Sequence, residues 1–414
     1  MKTRRYYNLP ENTLHNTKFD WVHVYAGNEV PPTHDGSFNF LIWEIIQRHY
    51  PNHLLLTKYY KESADLAVNS NSAIIHIEYS RKKQLAKWLR NILAENPGRL
   101  ARDKNFIDEA IKCISETNVE NIIVWGDMEA LPYLRWAFPN KSITFAQRYY
   151  AAKKSQSKMY DYCDYLLTQT KGTNQSLFEK ELEISPTIIT IPNGVDLDKY
   201  HPISAIDKKS LKKKFDIPED KFVILFPSHL KTYRGTSYLN DWIRESRNLI
   251  PNAYYVVTGK QMGEPRGHKI ELLKTLGVSD NCRWLKGISH DEMVEWYQVS
   301  DVALLPSLWP EGMSMASIEA MASGIPVIAT NHGAFKDYIS HLYNGWLCST
   351  ENLLEDGLKA IQTLATDQTL REKISANALF YARSKLPRNR SLTNFDHFFD
   401  KKFLNIDNDL SVPK

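Results

Sequence analysis

Val302-Ala303-Leu304-Leu305-Pro306-Ser307-Leu308-Trp309-Pro310-Glu311-Gly312-Met313-Ser314-Met315-Ala316-Ser317-Ile318-Glu319-Ala320-Met321-Ala322-Ser323-Gly324-Ile325-Pro326-Val327-Ile328-Ala329-Thr330 is the stretch on which the fold turns. An apolar strand, Val302 to Leu305, leads into it, and a second, Val327 to Ala329, follows. Between them lies a helical pattern whose start is flanked by two carboxylates, Glu311 and Glu319. A helix that begins just past a strand turns its unpaired N–H groups and positive dipole end outward. Such an end suits a phosphate. One acid before the helix and one along it can then grip hydroxyls on either side, the arrangement that a sugar nucleotide offers. A surface helix with two solvated acids would leave the Pro-Ser lead and the Ser-Gly-Ile-Pro punctuation unexplained.

Outward from this stretch, short apolar runs alternate with helical patterns. Trp21 to Tyr25 reads as the first strand, followed by Leu54–Leu56, Ala73–Ile77, Ile122–Trp125, Ser142–Phe145 and Tyr165–Thr168. Helical segments such as Phe106–Glu116 and Asn174–Leu182 separate most of them. After Ile191-Pro192-Asn193-Gly194-Val195-Asp196 the pattern restarts with Phe222–Phe226, Ala253–Val257 and Cys282–Leu285. Alternation of this kind predicts parallel sheets covered on both faces, with ligands at the carboxyl ends of the strands. Pro and Gly place a linker near residues 193–203. Phe395, Phe398, Phe399, Phe403 and Leu404 recur at helical spacing in the tail, so that stripe should pack on something.

The Glu pair and its flanks, Pro-Ser before and Glu-Ala-Met-Ala then Gly-x-Pro-Val-Ile-Ala-Thr after, resemble the Glu-x7-Glu signature of the retaining glycosyltransferases of family four. The Ile-Pro-Asn-Gly-Val-Asp string resembles that family's interdomain linker. The resemblance implies an α/β fold of GT-B architecture, two Rossmann-like doubly wound domains facing across a cleft. The expected division is an acceptor-side domain over 1–195, a nucleotide-sugar-binding domain over 196–385, and a tail, 386–414, returning to the first. It also implies transfer of a sugar from a nucleotide-diphosphate donor to an acceptor hydroxyl, with retention and no protein nucleophile. Glu311 would then hold donor-sugar hydroxyls and Glu319 the ribose. Gly312 and the backbone amides of Met313, Ser314 and Met315 would lie at the diphosphate.

After Phe226, the string Pro227-Ser228-His229-Leu230-Lys231-Thr232-Tyr233-Arg234-Gly235 stands where family members carry an Arg and a Lys-Gly pair that neutralise the leaving diphosphate. Here Arg234 takes the Lys position and can offer two parallel hydrogen bonds. His229 takes the Arg position, and Lys231 can supply charge beside it. Gly259 and Lys286 resemble the turns that frame the donor and its base. Gly36, after Val30-Pro31-Pro32, matches a Gly-rich loop of the first domain. No His stands at the later strand end where the family often has one. Gln147 is the nearest match, His23, His34 and His76 are others, and Asp127 ends another strand.

Composition bounds the rest. The 414 residues carry a formal charge of +4 and four scattered cysteines with no C-x-x-C pair. That argues against nucleic acid, a zinc site or a disulfide framework, and fits a reducing cytosol. No signal peptide, spanning segment, P-loop or dinucleotide fingerprint is read. No Asp-x-Asp metal motif follows a strand, so no cofactor or metal is expected, with the cations in place of Mg²⁺. Arg81 to Leu93 carries Leu85, Trp88, Leu89, Ile92 and Leu93 on one stripe and basic residues beside it. That pattern fits a core-facing helix or peripheral contact with the inner membrane face. The acceptor is expected to be a glycan, glycolipid or surface-polysaccharide precursor. A non-catalytic nucleotide-sugar-binding subunit and a sugar-nucleotide epimerase are the alternative readings.

Overall fold

A computed structural model describes residues 4–9, 14–26, 32, 37–78, 104–147, 159–173, 186–259 and 280–412. Gly36, His34, the segment 81–93 and the helix expected over 174–182 lie outside these residues. The chain divides into two compact units. One comprises residues 1–168, 174–190 and 398–403; the other comprises 169–173, 191–397 and 404–414.

Among the described residues the first unit is built on eight strands: β1 (Arg4–Tyr7), β2 (Trp21–Tyr25), β3 (His53–Lys58), β4 (Ala73–Ile77), β5 (Asn121–Trp125), β6 (Ser142–Ala146), β7 (Tyr165–Thr168) and β8 (Thr187–Thr190). Their order is β1-β4-β3-β2-β5-β6-β7-β8. Strands β2 and β4 are buried at every residue because helices cover both faces, which explains their unbroken apolar runs. The chain's first strand is β1 rather than β2, and it pairs antiparallel with β4, Arg4 opposite Ile77. Its sequence, Arg-Arg-Tyr-Tyr, lacks an apolar run because it is an edge strand with one face toward solvent. The helix Lys104–Ser115 buries Phe106, Ile107, Ala110, Cys113 and Ile114, the i, i+3, i+4, i+7 stripe of a helix on a sheet.

Phe398 to Phe403 of the tail belong to this unit. Phe398 and Phe399 lie 5.4 and 5.1 Å from the Trp21 ring, and Phe403 lies 5.3 Å from Tyr165. Leu404 corrects the expectation: it is fully exposed. The helix Arg388–Phe399 has ended by then, and a short 3-10 turn, Phe403–Asn405, points it outward.

Among the described residues the second unit has six parallel strands: β9 (Phe222–Phe226), β10 (Ala253–Thr258), β11 (Cys282–Leu285), β12 (Val302–Leu305), β13 (Val327–Thr330) and β14 (Trp346–Cys348). Their order is β11-β10-β9-β12-β13-β14. The chain builds outward from β9 through β10 to β11, then returns to β12 and builds the other way. The boundary between β9 and β12 is therefore the topological switch point, where loops leave in opposite directions and open a crevice. Helices Thr236–Leu249 and Leu353–Thr366 cover one face, with the buried Trp242 indole donating to the Leu354 carbonyl at 3.0 Å. Ser204 caps the helix Ala205–Lys214 by accepting from the Asp207 amide. The four cysteines are buried and form no disulfide. Among the described residues no helix is long and apolar enough to cross a membrane.

Candidate active site

The singled-out residues of the second unit all follow the carboxyl ends of four adjacent strands, β11, β10, β9 and β12. Two of those loops meet at the switch point. After β9 the chain makes a 3-10 turn, Thr232–Arg234, ending at Gly235 in the left-handed region, φ 78°. A Cβ there would stand 2.2 Å from the Pro306 carbonyl oxygen, so only glycine lets the loop after β9 lie against the start of the loop after β12. Three donors of that second loop converge on the Tyr233 carbonyl: Leu308 N at 2.8 Å, Trp309 N at 3.3 Å and the Ser307 hydroxyl at 3.3 Å.

This stitching puts Arg234 on Glu311. Arg234 Nη1 donates to Glu311 Oε1, and the two side chains are 31% and 11% exposed. The loop's far side is held from β13: Thr330 donates to the Ser307 carbonyl at 2.6 Å, and the Ala334 amide to the Glu311 carbonyl at 2.9 Å. The sequence assigned Arg234 to a diphosphate and Glu311 to a sugar. The structure joins them as one ion pair. A guanidinium has five N–H donors and a carboxylate about four lone-pair sites, so the pair leaves both groups capacity for a ligand. Lys231 and Arg234 flank the exposed Tyr233 ring, their cationic heads 5.4 and 5.6 Å from its centroid.

Gly259, after β10, lies against the backbone of Ser228 and His229. Its carbonyl accepts from the Trp284 indole at 3.1 Å, and Lys286 stands over that indole at 5.1 Å. Gly259 thus links the start of the loop after β9, at Ser228 and His229, to the end of β11 at Trp284.

The helix Met315–Ala322 begins after Ser314. Two of the amides expected at its phosphate end already have partners. Met313 N donates to Gln169 Oε1 at 2.9 Å, and Ser314 N to the Tyr338 hydroxyl at 3.3 Å. The Met313 carbonyl accepts from Asn193 Nδ2 at 2.9 Å, so two side-chain amides hold both ends of this residue. A ligand phosphate there must displace these partners or use the next amides of the helix. Gly312 is buried beside them.

Glu319, assigned to the ribose, is only 3% exposed. The Tyr297 hydroxyl donates to its Oε2 at 3.1 Å, and His290 Nε2 lies 3.4 Å from its Oε1. His290 Nε2 also lies 3.0 Å from the Tyr200 hydroxyl, and its Nδ1 is 2.9 Å from Lys199 Nζ. Burial first, and the Glu319 charge second, push both tyrosines well above the ordinary phenol range, so both keep their hydroxyl protons. Glu311 and Glu319 therefore belong to different networks.

The sequence reading missed Gln169, Asn193, Lys199, Tyr200, His290 and Tyr297. Asn193 sat in the linker string, read only as a boundary. The others reach the site from distant points of the chain with no local signature. In the first unit, Gln147 is 5% exposed and accepts from the Tyr160 hydroxyl at 2.6 Å. His23 is fully buried, between Trp125 Nε1 at 3.1 Å and His53 Nδ1 at 2.9 Å. His76 is buried within β4, and Asp127 precedes the short turn Met128–Ala130. Among the described residues no group of three His, Cys, Asp or Glu side chains is placed to hold a metal.

Residues 207–379 match the family described as Glycosyl transferases group 1. The matched region takes in β9 to β14, the Arg234–Glu311 pair and Glu319. YtcC of Bacillus subtilis is 29% identical over 250 residues, covering 58% of this chain and 59% of that one. The UDP-Gal:alpha-D-GlcNAc-diphosphoundecaprenol alpha-1,3-galactosyltransferase of Escherichia coli is 31% identical over 199 residues, 46% of this chain and 49% of that one. The chain thus spans roughly half the length of these curated relatives. Among solved structures, HepE of Anabaena in complex with UDP superposes with a TM-score of 0.73 at 14% identity, over 92% of this chain and all of that one. At that identity the likeness speaks for the fold, and the two-unit α/β class expected from the sequence is the one observed.

Proposed function

We propose that this chain is a glycosyltransferase that moves a sugar from a nucleoside-diphosphate donor to an acceptor hydroxyl, with retention and without a metal. One observation carries the reading: the Arg234–Glu311 pair at the β9/β12 switch point, a cation for a diphosphate set directly beside an acceptor of sugar hydroxyls. In this reading Arg234, with Lys231 and His229, stabilises the charge that grows on the leaving diphosphate. Glu311 holds the donor sugar, Glu319 the ribose, and Gly259 and Lys286 frame the base. The anomeric C–O bond to phosphate breaks as the bond to the acceptor oxygen forms on the same face. The acceptor proton passes to the departing phosphate oxygen. The E. coli relative is named for a lipid-diphosphate-linked sugar acceptor. We extend to this chain an acceptor of that general kind, a glycan or lipid-linked saccharide, met at the cytoplasmic side of a membrane.

The test is a thermal-shift and calorimetric screen with UDP, GDP, ADP and their sugars, followed by turnover with the donor that binds. A ligand that binds only the folded chain raises the melting temperature. We expect one nucleoside diphosphate to stand out, and donor cleavage in the presence of EDTA with the product sugar keeping its anomeric configuration. Arg234→Ala should lower the rate by about 100-fold or more, the scale for deleting one donor to a developing anion. Binding without turnover on any acceptor would instead make the chain a nucleotide-sugar-binding subunit. Full activity in Arg234→Ala would remove the diphosphate assignment.

A further inference from the structure

Behind Glu319 runs a chain of polar groups that the proposed reaction does not use. It begins at the surface with Asp291, whose side chain is 89% exposed and which pairs with Lys199. Lys199 Nζ then reaches His290 Nδ1 at 2.9 Å. His290 Nε2 faces the Tyr200 hydroxyl at 3.0 Å and Glu319 Oε1 at 3.4 Å. The imidazole is walled by Tyr200, their ring centroids 5.8 Å apart, and Tyr200 in turn meets Tyr297 edge-on at 5.7 Å. Lys199 and Tyr200 lie just past the linker string, His290 and Asp291 precede the helix Glu292–Val299, and Tyr297 lies within it. Two separate pieces of chain, 199–200 and 290–297, therefore converge on one carboxylate.

The donor rules determine how this chain is polarised. An ammonium has three N–H donors and no acceptor. A ring nitrogen 2.9 Å from it must therefore present its lone pair, because a hydrogen at Nδ1 would point into the ammonium. The imidazole hydrogen then sits on Nε2, the nitrogen that faces Glu319. With the hydrogen there, the ring offers the carboxylate a donor. With the opposite tautomer it would turn a lone pair toward Glu319 Oε1. Lys199 thus decides, from one ring away, whether a buried acid is held or repelled.

We propose that Lys199 and His290 are positioning residues for Glu319: Lys199 fixes the Nε2–H tautomer, and that N–H aims the carboxylate at the donor nucleotide. This rests on the reading of Glu319 as a donor contact. An acid that grips the nucleotide and not the reacting bond contributes binding that is equal in ground and transition states. Its misplacement raises the donor KM with little change in kcat.

Two measurements on the full chain test the proposal. The first is a long-range nitrogen–proton spectrum of ¹⁵N-imidazole-labelled protein, with His290 assigned by its loss in His290→Gln. Wild type should show a bare Nδ1 and a protonated Nε2. Lys199→Met, which keeps most of the stem and removes the donor, should shift the ring toward the other tautomer. The second is donor-nucleotide affinity by calorimetry, with unfolding midpoints as a check on folding. Lys199→Met and His290→Phe should bind about ten-fold or more weakly, the scale for losing a hydrogen bond to a charged group. His290→Gln can place an amide N–H near Nε2 and should restore much of the affinity. Wild type that binds no nucleoside diphosphate overturns the donor reading, and the proposal falls with it. Wild type that binds, with Lys199→Met unchanged in both affinity and tautomer, overturns the proposal alone.

Discussion

Deleting the Glu319 carboxylate takes an acceptor away from the Tyr297 hydroxyl and the His290 ring inside a region closed to solvent. A buried donor left without its partner costs about 1–3 kcal/mol. Tyr297 also has the Ala316 carbonyl in reach at 3.2 Å, and His290 has the Tyr200 hydroxyl, which places the loss near the lower end. Glu319→Ala is therefore expected to lower stability by about 1–2 kcal/mol in urea unfolding, and Glu319→Gln by less, since the amide keeps an oxygen acceptor. A solvated acid would cost nothing, so an unchanged unfolding midpoint in Glu319→Ala would remove Glu319 from this network. The signal for its burial was present in the sequence. The helix around it reads Met-Ala-Ser-Ile-Glu-Ala-Met-Ala, with no polar face to carry it to solvent. No comparable signal marked Lys199, Gln169 or His290, whose partners lie far away along the chain.

At the scale of elements, the loop after β12 is shaped less by its own sequence than by its neighbours. Gly333 holds φ 61°, and a Cβ there would stand 2.6 Å from the Glu311 amide nitrogen. Gly333→Ala combines a left-handed backbone with a close approach, and such strain costs about 1–3 kcal/mol. We expect that variant to fold with reduced stability and to lose more donor affinity than its stability loss explains, because the Glu311 segment must move. Calorimetry with donor at a temperature where the variant is fully folded checks this; wild-type affinity would mean that the loop tolerates the shift. The strands that the sequence revealed were those buried on both faces, such as β2, β4 and β9, where an unbroken apolar run has little other meaning. The missed ones, β1, β8 and β14, are edge strands of three or four residues, too short or too polar for a period to register. The Arg234–Glu311 pairing was illegible for a different reason. It depends on strand order, and the sequence alone does not say that β9 and β12 are neighbours.

At the scale of the whole molecule, two buried histidines of the first unit tie stability to pH. Burial, with the neighbouring His49 second, pushes His53 down to about 2, and burial with His53 and His49 holds His23 well below the usual range. In the unfolded chain both regain an ordinary value near 6.5. Above about pH 6.5 neither state binds the proton and the histidines contribute no pH dependence. Below it the unfolded chain takes up protons that the folded chain refuses, so stability falls with pH. The slope is about 1.4 kcal/mol per pH unit for His53, from 6.5 toward about 2, and His23 adds a dependence of the same sign. Urea midpoints between pH 6.5 and 5 should fall in wild type and fall less steeply in His53→Gln; a flat wild-type profile would contradict the burial of these rings. The same unit holds a second dependence, at its rim. Strand β4, Ala-Ile-Ile-His-Ile, would be the outermost strand of the sheet but for the four residues of β1. Arg4 anchors that cover to Glu109 and Glu116, and Arg5 to Glu78 and the Tyr59 ring. An uncovered, apolar strand edge recruits strands from other molecules. Two arginines and two tyrosines at the start of the chain thus act as a guard against self-association, and trimming them would expose a template for aggregation while leaving every residue of the candidate active site in place.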